Sequence, residues 1–346
     1  MAGRSGSGDP APRGPGDPAP RGPGDPAPRG PGDDAIAVRD RLTDAEARSV
    51  LQVAAAAAQH DGVAPLSEHV MLHLRYGGDP RARNLLLYRG ADLAGYAHLD
   101  PTDPVEGPSG ELVIDPRFRR RGLGRRLVGF LVREAREQPL RLWAHGDLPA
   151  AARLAEAAGF ERIRSLWQMR RSLQNAFDKP VFGEGIAVRT FEVDRDERAW
   201  TDLNRRAFAR HPEQGAWTRE DLDKREREAW FEPAGFFLAE RDGHLVGFHW
   251  TKVHGGGAGQ GRPGHGHEAM GEVYVVGVDP GERGSGLGRA LTLVGLHYLR
   301  SRGLSQVMLY VDESNTAAIR LYESLGFAHW STDVMFRHSG AALADA

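Results

Sequence analysis

The chain has 346 residues, enough for about two domains with separate cores. Its 45 basic and 47 acidic side chains leave a formal charge of −2, so the balance does not point to nucleic acid or an acidic membrane surface. There is no cysteine, which excludes disulfides, thiolate metal sites and a cysteine nucleophile, and no apolar run approaches the roughly 20 residues of a membrane helix.

Residues 1–34 repeat Gly-Asp-Pro-Ala-Pro-Arg-Gly-Pro from Gly8, Gly16 and Gly24. Proline and glycine dominate and nothing large and apolar is present, so a disordered tail is expected. A first domain is expected over 35–173. It opens with a strand at Ala35–Arg39. Thr43 and Glu46 then form the capping box of a helix running to about His60. A second helix starts at Leu66-Ser67-Glu68. Leu85–Tyr88 and Leu93–Leu99 read as a hairpin across Arg89–Asp92. Strand Glu111–Ile114 leads through Asp115-Pro116 to a glycine loop and a helix. Strand Leu140–Ala144, helix Pro149–Ala158 and strand Arg164–Arg170 follow.

Residues 174–184 read as a linker, 185–338 as a second domain with the same order, and 339–346 as a tail. Ile186–Phe191 is expected to be a strand, Asp196–Ala209 a helix and His211–Gly215 a loop. Phe236–Glu240 and Leu245–Val253 form the next hairpin. Gly255–His267, GGGAGQGRPGHGH, is a glycine-rich insertion. Its histidines and the neighbouring His254 have no rigid frame, so it reads as a flexible loop without a metal. Val273–Val278 is a buried, β-branched strand, and Val307–Val311, Thr316–Ser324 and Ser331–Arg337 close the domain as strand, helix and strand. The expected fold class is α/β, with a mixed sheet covered by helices on both faces in each of two repeats.

The repeat is legible in ordered matches. Ile114-Asp115-Pro116 and Gly122-Leu123-Gly124 correspond to Val278-Asp279-Pro280 and Gly286-Leu287-Gly288, 164 residues on. Gly159-Phe160 corresponds to Gly326-Phe327, and Gly95-Tyr96 to Gly247-Phe248. Each glycine loop opens a helix, whose first amides lack partners and whose dipole favours an anion, so a phosphate or pyrophosphate is the expected ligand. A P-loop would need Gly-Lys-Ser/Thr and a dinucleotide loop a third glycine, and neither is present.

The Arg-x-x-Gly-x-Gly loop after each of these strands resembles that of the GCN5-related N-acetyltransferases. The acyl transfer to an amine which that resemblance implies requires a base for the incoming ammonium, a donor for the developing oxyanion and a proton for the leaving group. Glu272 on the strand before the loop is the candidate base, with a solvent-facing strand-entry carboxylate as the plain alternative. Tyr322 is the candidate acid, with an aromatic core anchor as the alternative. An N–H near Val276–Val278 is the natural oxyanion donor, and Asn315 an N-cap. At the corresponding positions the first copy has Pro108, Ala155 and Leu148. Catalysis is therefore expected in the second copy. The first copy's Arg117, Arg119, Arg120, Arg121, Arg125 and Arg126 could hold phosphates.

Ala207–Gly215, Gly247–His254 and Gly271–Pro280 resemble, more narrowly, the mycothiol synthase family, two-domain acetyltransferases of actinomycetes. That resemblance covers about residues 35–338. It implies two tandem acetyltransferase domains, with acetyl-CoA as acetyl donor and the cysteinyl amine of cysteinyl-glucosaminyl-inositol as acceptor. It implies Glu272 as base and Tyr322 as acid. It implies acetyl-CoA contacts from Val276, Gly277, Val278, Arg283, Gly284, Ser285, Gly286, Leu287, Gly288, Arg289, Asn315, Thr316, Ala317, Ala318, Ile319 and Arg320. A second acetyl-CoA would lie on Leu112, Val113, Ile114, Arg120, Arg121, Gly122, Leu123, Gly124 and Arg125. Glu68, Glu213, Lys252, Glu272 and Tyr310 would contact the sugar substrate. A cytoplasmic monomer without metal, nucleic acid or membrane partner is the corresponding expectation. Acetylation of a peptide N-terminus or an antibiotic amine is the rival activity. A non-catalytic acetyl-CoA-binding protein is a further reading, against which Glu272 and Tyr322 both stand.

Overall fold

The computed structural model describes residues 34–77, 79–102, 107–136, 138–209, 212–254 and 269–340. The expectations for the repeat tail before Asp34, the glycine-rich insertion and residues 341–346 fall outside these. The first half supplies β1 (Asp34–Arg39), α1 (Asp44–Asp61), α2 (Glu68–Tyr76), β2 (Arg83–Arg89), β3 (Asp92–Asp100), β4 (Ser109–Ile114), α3 (Leu123–Glu134), β5 (Leu140–Ala144), α4 (Pro149–Ala157) and β6 (Glu161–Ser172). The second supplies β7 (Ile186–Thr190), α5 (Glu197–Ala207), α6 (Pro212–Gly215), α7 (Arg219–Glu226), β8 (Phe236–Arg241), β9 (His244–His254), β10 (Met270–Val278), α8 (Leu287–Ser301), β11 (Gln306–Asp312), α9 (Thr316–Ser324) and β12 (Ala328–His338).

Local chemistry sets many of these boundaries. Thr43 and Glu46 make the expected capping box, Ser67 caps α2 through the Val70 amide, and Asn315 caps α9 through the Ala318 amide. Two elements differ from the sequence reading. The stretch 212–215, expected as a loop, winds into the single turn α6, with Pro212 at its first position. Helix α7 has no counterpart in the sequence reading. It is so polar that no apolar stripe marks it, and its start is a Thr218–Asp221 capping box.

The strands form one mixed sheet in the order β1-β2-β3-β4-β5-β12-β6-β11-β10-β9-β8-β7. Helices cover both faces. In the first half α1, α2 and the connection between them pack on one side through Val50, Val53, Ala57, Leu66 and Val70, and α3 on the other through Leu123, Leu127 and Leu131. The repeat does not reveal where the last strand of each half goes. β12 pairs with β5, and β6 pairs with β11, so the halves exchange their final strands. β6 and β12 also pair antiparallel with each other. Leu166 faces Asp333 there, and these are equivalent positions of the two copies, as Gly159 and Gly326 are. A two-fold pseudo-axis passes between them.

The exchange also completes both cores. Val334 and Phe336 of β12 pack with Leu127, Leu131 and Leu140, whereas Met169 of β6 and Leu173 just after it pack with Leu296, Leu299 and Leu309. Burying each such side chain is worth about 1.5–3 kcal/mol. A buried ionic bridge locks the junction. His145 Nδ1, just beyond β5, lies 2.9 Å from Asp333 Oδ2, and its Nε2 lies 3.6 Å from Glu111 Oε2 on β4. The Gly146 amide donates to Asp333 Oδ1 at 2.8 Å. Burial alone would pull the His145 pKa down. The Asp333 hydrogen bond and the Glu111 carboxylate outweigh it and push the value up to about 10.

The raised pKa makes a directional prediction. The bridge stabilises fully below the ordinary histidine value and is lost as pH rises through about 10. The thermal midpoint should therefore fall as pH climbs from about 7 to about 10. His145→Gln should lower the midpoint at neutral pH and flatten that slope. An unchanged slope in the variant would assign the pH dependence to other groups.

Candidate active site

Among the described residues each half contains one pair of adjacent parallel strands, and each pair parts soon after it forms. β4 and β5 are paired from Ser109–Arg141 to Glu111–Trp143, and β10 and β11 from Gly271–Val307 to Val273–Leu309. All four strands run on beyond that register. The result is a wedge whose inner edge, in the second half, is the backbone of Val276–Val278.

β10 carries an irregularity that β4 lacks. Its register against β9 shifts between Val273 and Val275, so Tyr274 is an extra residue, a β-bulge. The bulge switches sides. Val273 packs into the core beneath α8, while Val275 packs with Trp200, Phe236 and Trp250 on the opposite face. It also corrects the repeat alignment. Glu272 pairs with Lys252 and with Met308, and the equivalent positions of the first half, Asp100 and Arg141, both pair with Ser109. The counterpart of Glu272 is therefore Ser109 rather than Pro108, because the bulge supplies one residue of the repeat's length difference.

Four of the sequence-predicted polar residues converge near this bulge. Glu272 is only 6 % exposed and Lys252 only 8 %. His254 Nε2 lies 2.6 Å from Glu272 Oε2, so a proton sits between them. Lys252 donates to Glu68 Oε1, which arrives from the first half at the start of α2. Burial would raise the Glu68 pKa, but the Lys252 charge and hydrogen bond hold it below its usual value. Tyr310 exposes 41 % of its surface and accepts from Gln168 Nε2 of β6 at 2.7 Å. Burial of its phenol and the Glu272 charge push its pKa up to about 12. Glu213 lies in α6, and its side chain is outside the described residues.

Residues the sequence reading did not single out complete the cluster. Tyr274 donates to Glu68 Oε2 at 2.7 Å and accepts from Arg225 Nε at 2.8 Å. The Lys252 ammonium sits 4.4 Å from the Trp230 ring centre, a cation–π contact. No local signal marks Arg225 and Trp230, because α7 and the segment after it reach β9 and β10 only in three dimensions. Tyr322 on α9 packs against the same core as Val276, edge-on to Phe327 at 5.8 Å. Burial pushes its pKa up to about 12.

The glycine loops turn through left-handed backbone with open space beside it. Gly284 and Gly286 have φ of 83° and 84°, and open space lies where a Cβ would stand. Gly286 leaves the start of α8 without a side-chain cap, as Gly122 does for α3, unlike the capped α1, α2, α7 and α9. Arg283, Gly284, Ser285 and Gly286 are exposed. Arg289 instead bonds Ser324 and Asp178, each at 2.9 Å. Leu287, Ile319, Leu123 and Val113 are buried in the cores, so only their backbones are available to a ligand. In the first half Arg117, Arg119 and Arg126 already pair with Asp115, Asp61 and Asp34. Arg120, Arg121 and Arg125 are exposed on the loop and helix.

The acetyltransferase (GNAT) family model matches residues 52–160 and again 198–327. A mycothiol acetyltransferase from Streptosporangium roseum is 57 % identical, over 86 % of this chain and 98 % of its own. One from Thermobispora bispora is 61 % identical, over 87 % and 99 %. A tandem GNAT protein from the clavulanic acid biosynthesis pathway superposes with a TM-score of 0.68 at 20 % identity, over 89 % of this chain and 99 % of that one, a likeness of fold.

The wedge depends on one close approach. A Cβ on Gly277 would lie 2.4 Å from Phe248 Cε1 and 3.2 Å from Phe208 Cε2. Gly277→Ala should destabilise the protein by about 1–3 kcal/mol through overpacking, read as a lower urea midpoint. A midpoint equal to the unsubstituted protein's would mean that the rings yield freely.

Proposed function

The chain belongs to the acetyltransferase (GNAT) family and within it to the mycothiol acetyltransferases, and on that premise we propose that it acetylates the cysteinyl amine of cysteinyl-glucosaminyl-inositol. The reading rests above all on a buried carboxylate, Glu272, at the closed end of the β10–β11 wedge, beside an ion pair contributed by both halves. The second half is the catalytic one in this reading, because Ser109 and Ala155 stand where Glu272 and Tyr322 do.

Acetyl-CoA supplies an activated acetyl thioester, so positioning and proton management are what the protein must add. The exposed loop Arg283–Gly286 and the backbone of Leu287–Arg289 fit a pyrophosphate, and Asn315–Arg320 would flank the rest of the donor. The Val276–Val278 backbone lines the wedge where oxyanion charge would develop, and amide donors aimed there stabilise it. Glu272 takes the proton of the incoming ammonium. His254, half-buried beside it, fixes the carboxylate and leads toward solvent. Tyr322 stays neutral at working pH because burial raises its pKa, and so it has a proton for the leaving thiolate. Lys252, Glu68 and Tyr310 offer charged and hydroxyl partners to a substrate rich in hydroxyls. The first half keeps a glycine loop that fits a second acetyl-CoA.

Purified protein incubated with acetyl-CoA and the pseudodisaccharide amine should give N-acetylated product by mass spectrometry. Turnover of a peptide amine but not of the pseudodisaccharide would reverse the substrate assignment. Glu272→Gln should lower kcat by about 10²–10⁴-fold. Ser109→Ala should leave it nearly unchanged, and equal losses at both positions would refute the assignment of the second half. Lys252→Ala should raise KM for the pseudodisaccharide by at least about tenfold, since the half-buried Glu68 loses its partner and the substrate a contact.

A further inference from the structure

Three histidines meet on the first half's face equivalent to the substrate cluster. His69 and His73 lie one turn apart on α2 and so share a face, and His98 stands on β3. One ring nitrogen of each lies within 4.8 Å of those of the other two. His73 Nδ1 and His98 Nε2 are 3.2 Å apart. Nitrogens bound tetrahedrally to a metal at 2.0–2.1 Å stand about 3.3–3.4 Å from each other. We propose that His69, His73 and His98 bind one divalent ion of the zinc class, with water in the fourth position.

The surrounding hydrogen bonds prepare the lone pairs. Tyr96 donates its hydroxyl proton to Asn84 Oδ1 at 2.7 Å, so toward His98 Nδ1, 3.4 Å away, it acts as acceptor. That keeps the His98 proton on Nδ1 and turns the Nε2 lone pair toward His73. Asp100 Oδ2 lies 2.9 Å from His69 Nε2. This is the carboxylate–histidine arrangement that fixes the tautomer of a metal ligand. Imidazole nitrogens suit zinc, copper or nickel, whereas calcium and magnesium need oxygen donors. His98 is 2 % exposed and His69 is exposed, so the site is anchored in the fold and reachable from solvent. An ion there ties α2 to β3. Glu68, the residue before His69, is then held toward Lys252 and Tyr274.

The full chain, dialysed against EDTA and then freed of chelator, should be titrated with zinc chloride. One equivalent is expected to bind, and cobalt(II) in its place should show the visible bands of a tetrahedral site. His69→Ala, at an exposed position, should keep the fold by circular dichroism and weaken binding by at least 100-fold. His73→Ala should do the same. Asp100→Asn should weaken binding about 10–100-fold. A double variant, His265→Ala with His267→Ala, should bind as the unsubstituted chain does. Absence of stoichiometric uptake would overturn the proposal. So would uptake indifferent to His69→Ala and His73→Ala, or uptake abolished by the His265/His267 variant.

Discussion

The antiparallel pairing of β6 with β12 is the contact on which the rest of the molecule depends. It makes one sheet of two halves, and it sends each half's last strand into the other's core. Neither half can then bury its own apolar surface. Val334 and Phe336 belong by sequence to the second half but by packing to the first, and Met169 and Leu173 are the reverse. Fixed interhalf geometry follows, and a site that draws side chains from both halves needs that.

A chain of polar contacts carries the constraint from the junction to the cleft. Asp333 of β12 holds His145, His145 faces Glu111, and Glu111 accepts the Ser67 amide at 2.6 Å at the start of α2. The next residue, Glu68, takes the Lys252 ammonium and the Tyr274 hydroxyl. Buried charges are costly unless paired, and here each has a partner across an element or a half. The cluster of Glu68, Lys252 and Tyr274 is therefore preorganised by the same interactions that close the sheet.

The two halves share a backbone plan but diverge at single positions. The first keeps an αL glycine before α3 and an arginine-rich loop, with Arg120 itself at φ 63° where the second half has Gly284. What it lacks is the bulge, the carboxylate and the phenol. One inserted residue at Tyr274 reverses which side chains face the aromatic core, and it brings Tyr274 itself into the cluster with Glu68 and Arg225. A duplication can lose or gain chemistry by so small a step because the side-chain period of a strand is two.

Much of this was legible in the residues. Caps such as Thr43–Glu46, Ser67 and Asn315 act within one turn, and strands such as Leu140–Ala144 are bounded by local punctuation, so their chemistry is readable locally. The glycine loops and their repeat were equally plain, because a helix start and an αL glycine are local features. Helix α7 escaped because it has hardly any apolar face, only Leu222 being a buried hydrophobic residue of it. Strand exchange, the bulge at Tyr274 and the meeting of His69, His73 and His98 were not written in any local pattern. Each depends on which strand lies beside which, and that choice is made by cores and charges far apart in the chain. The sequence by itself determined the elements, the repeat and the chemical types available. Only the tertiary structure decided their neighbours, because pairing energy is collected across the sheet and not along the chain.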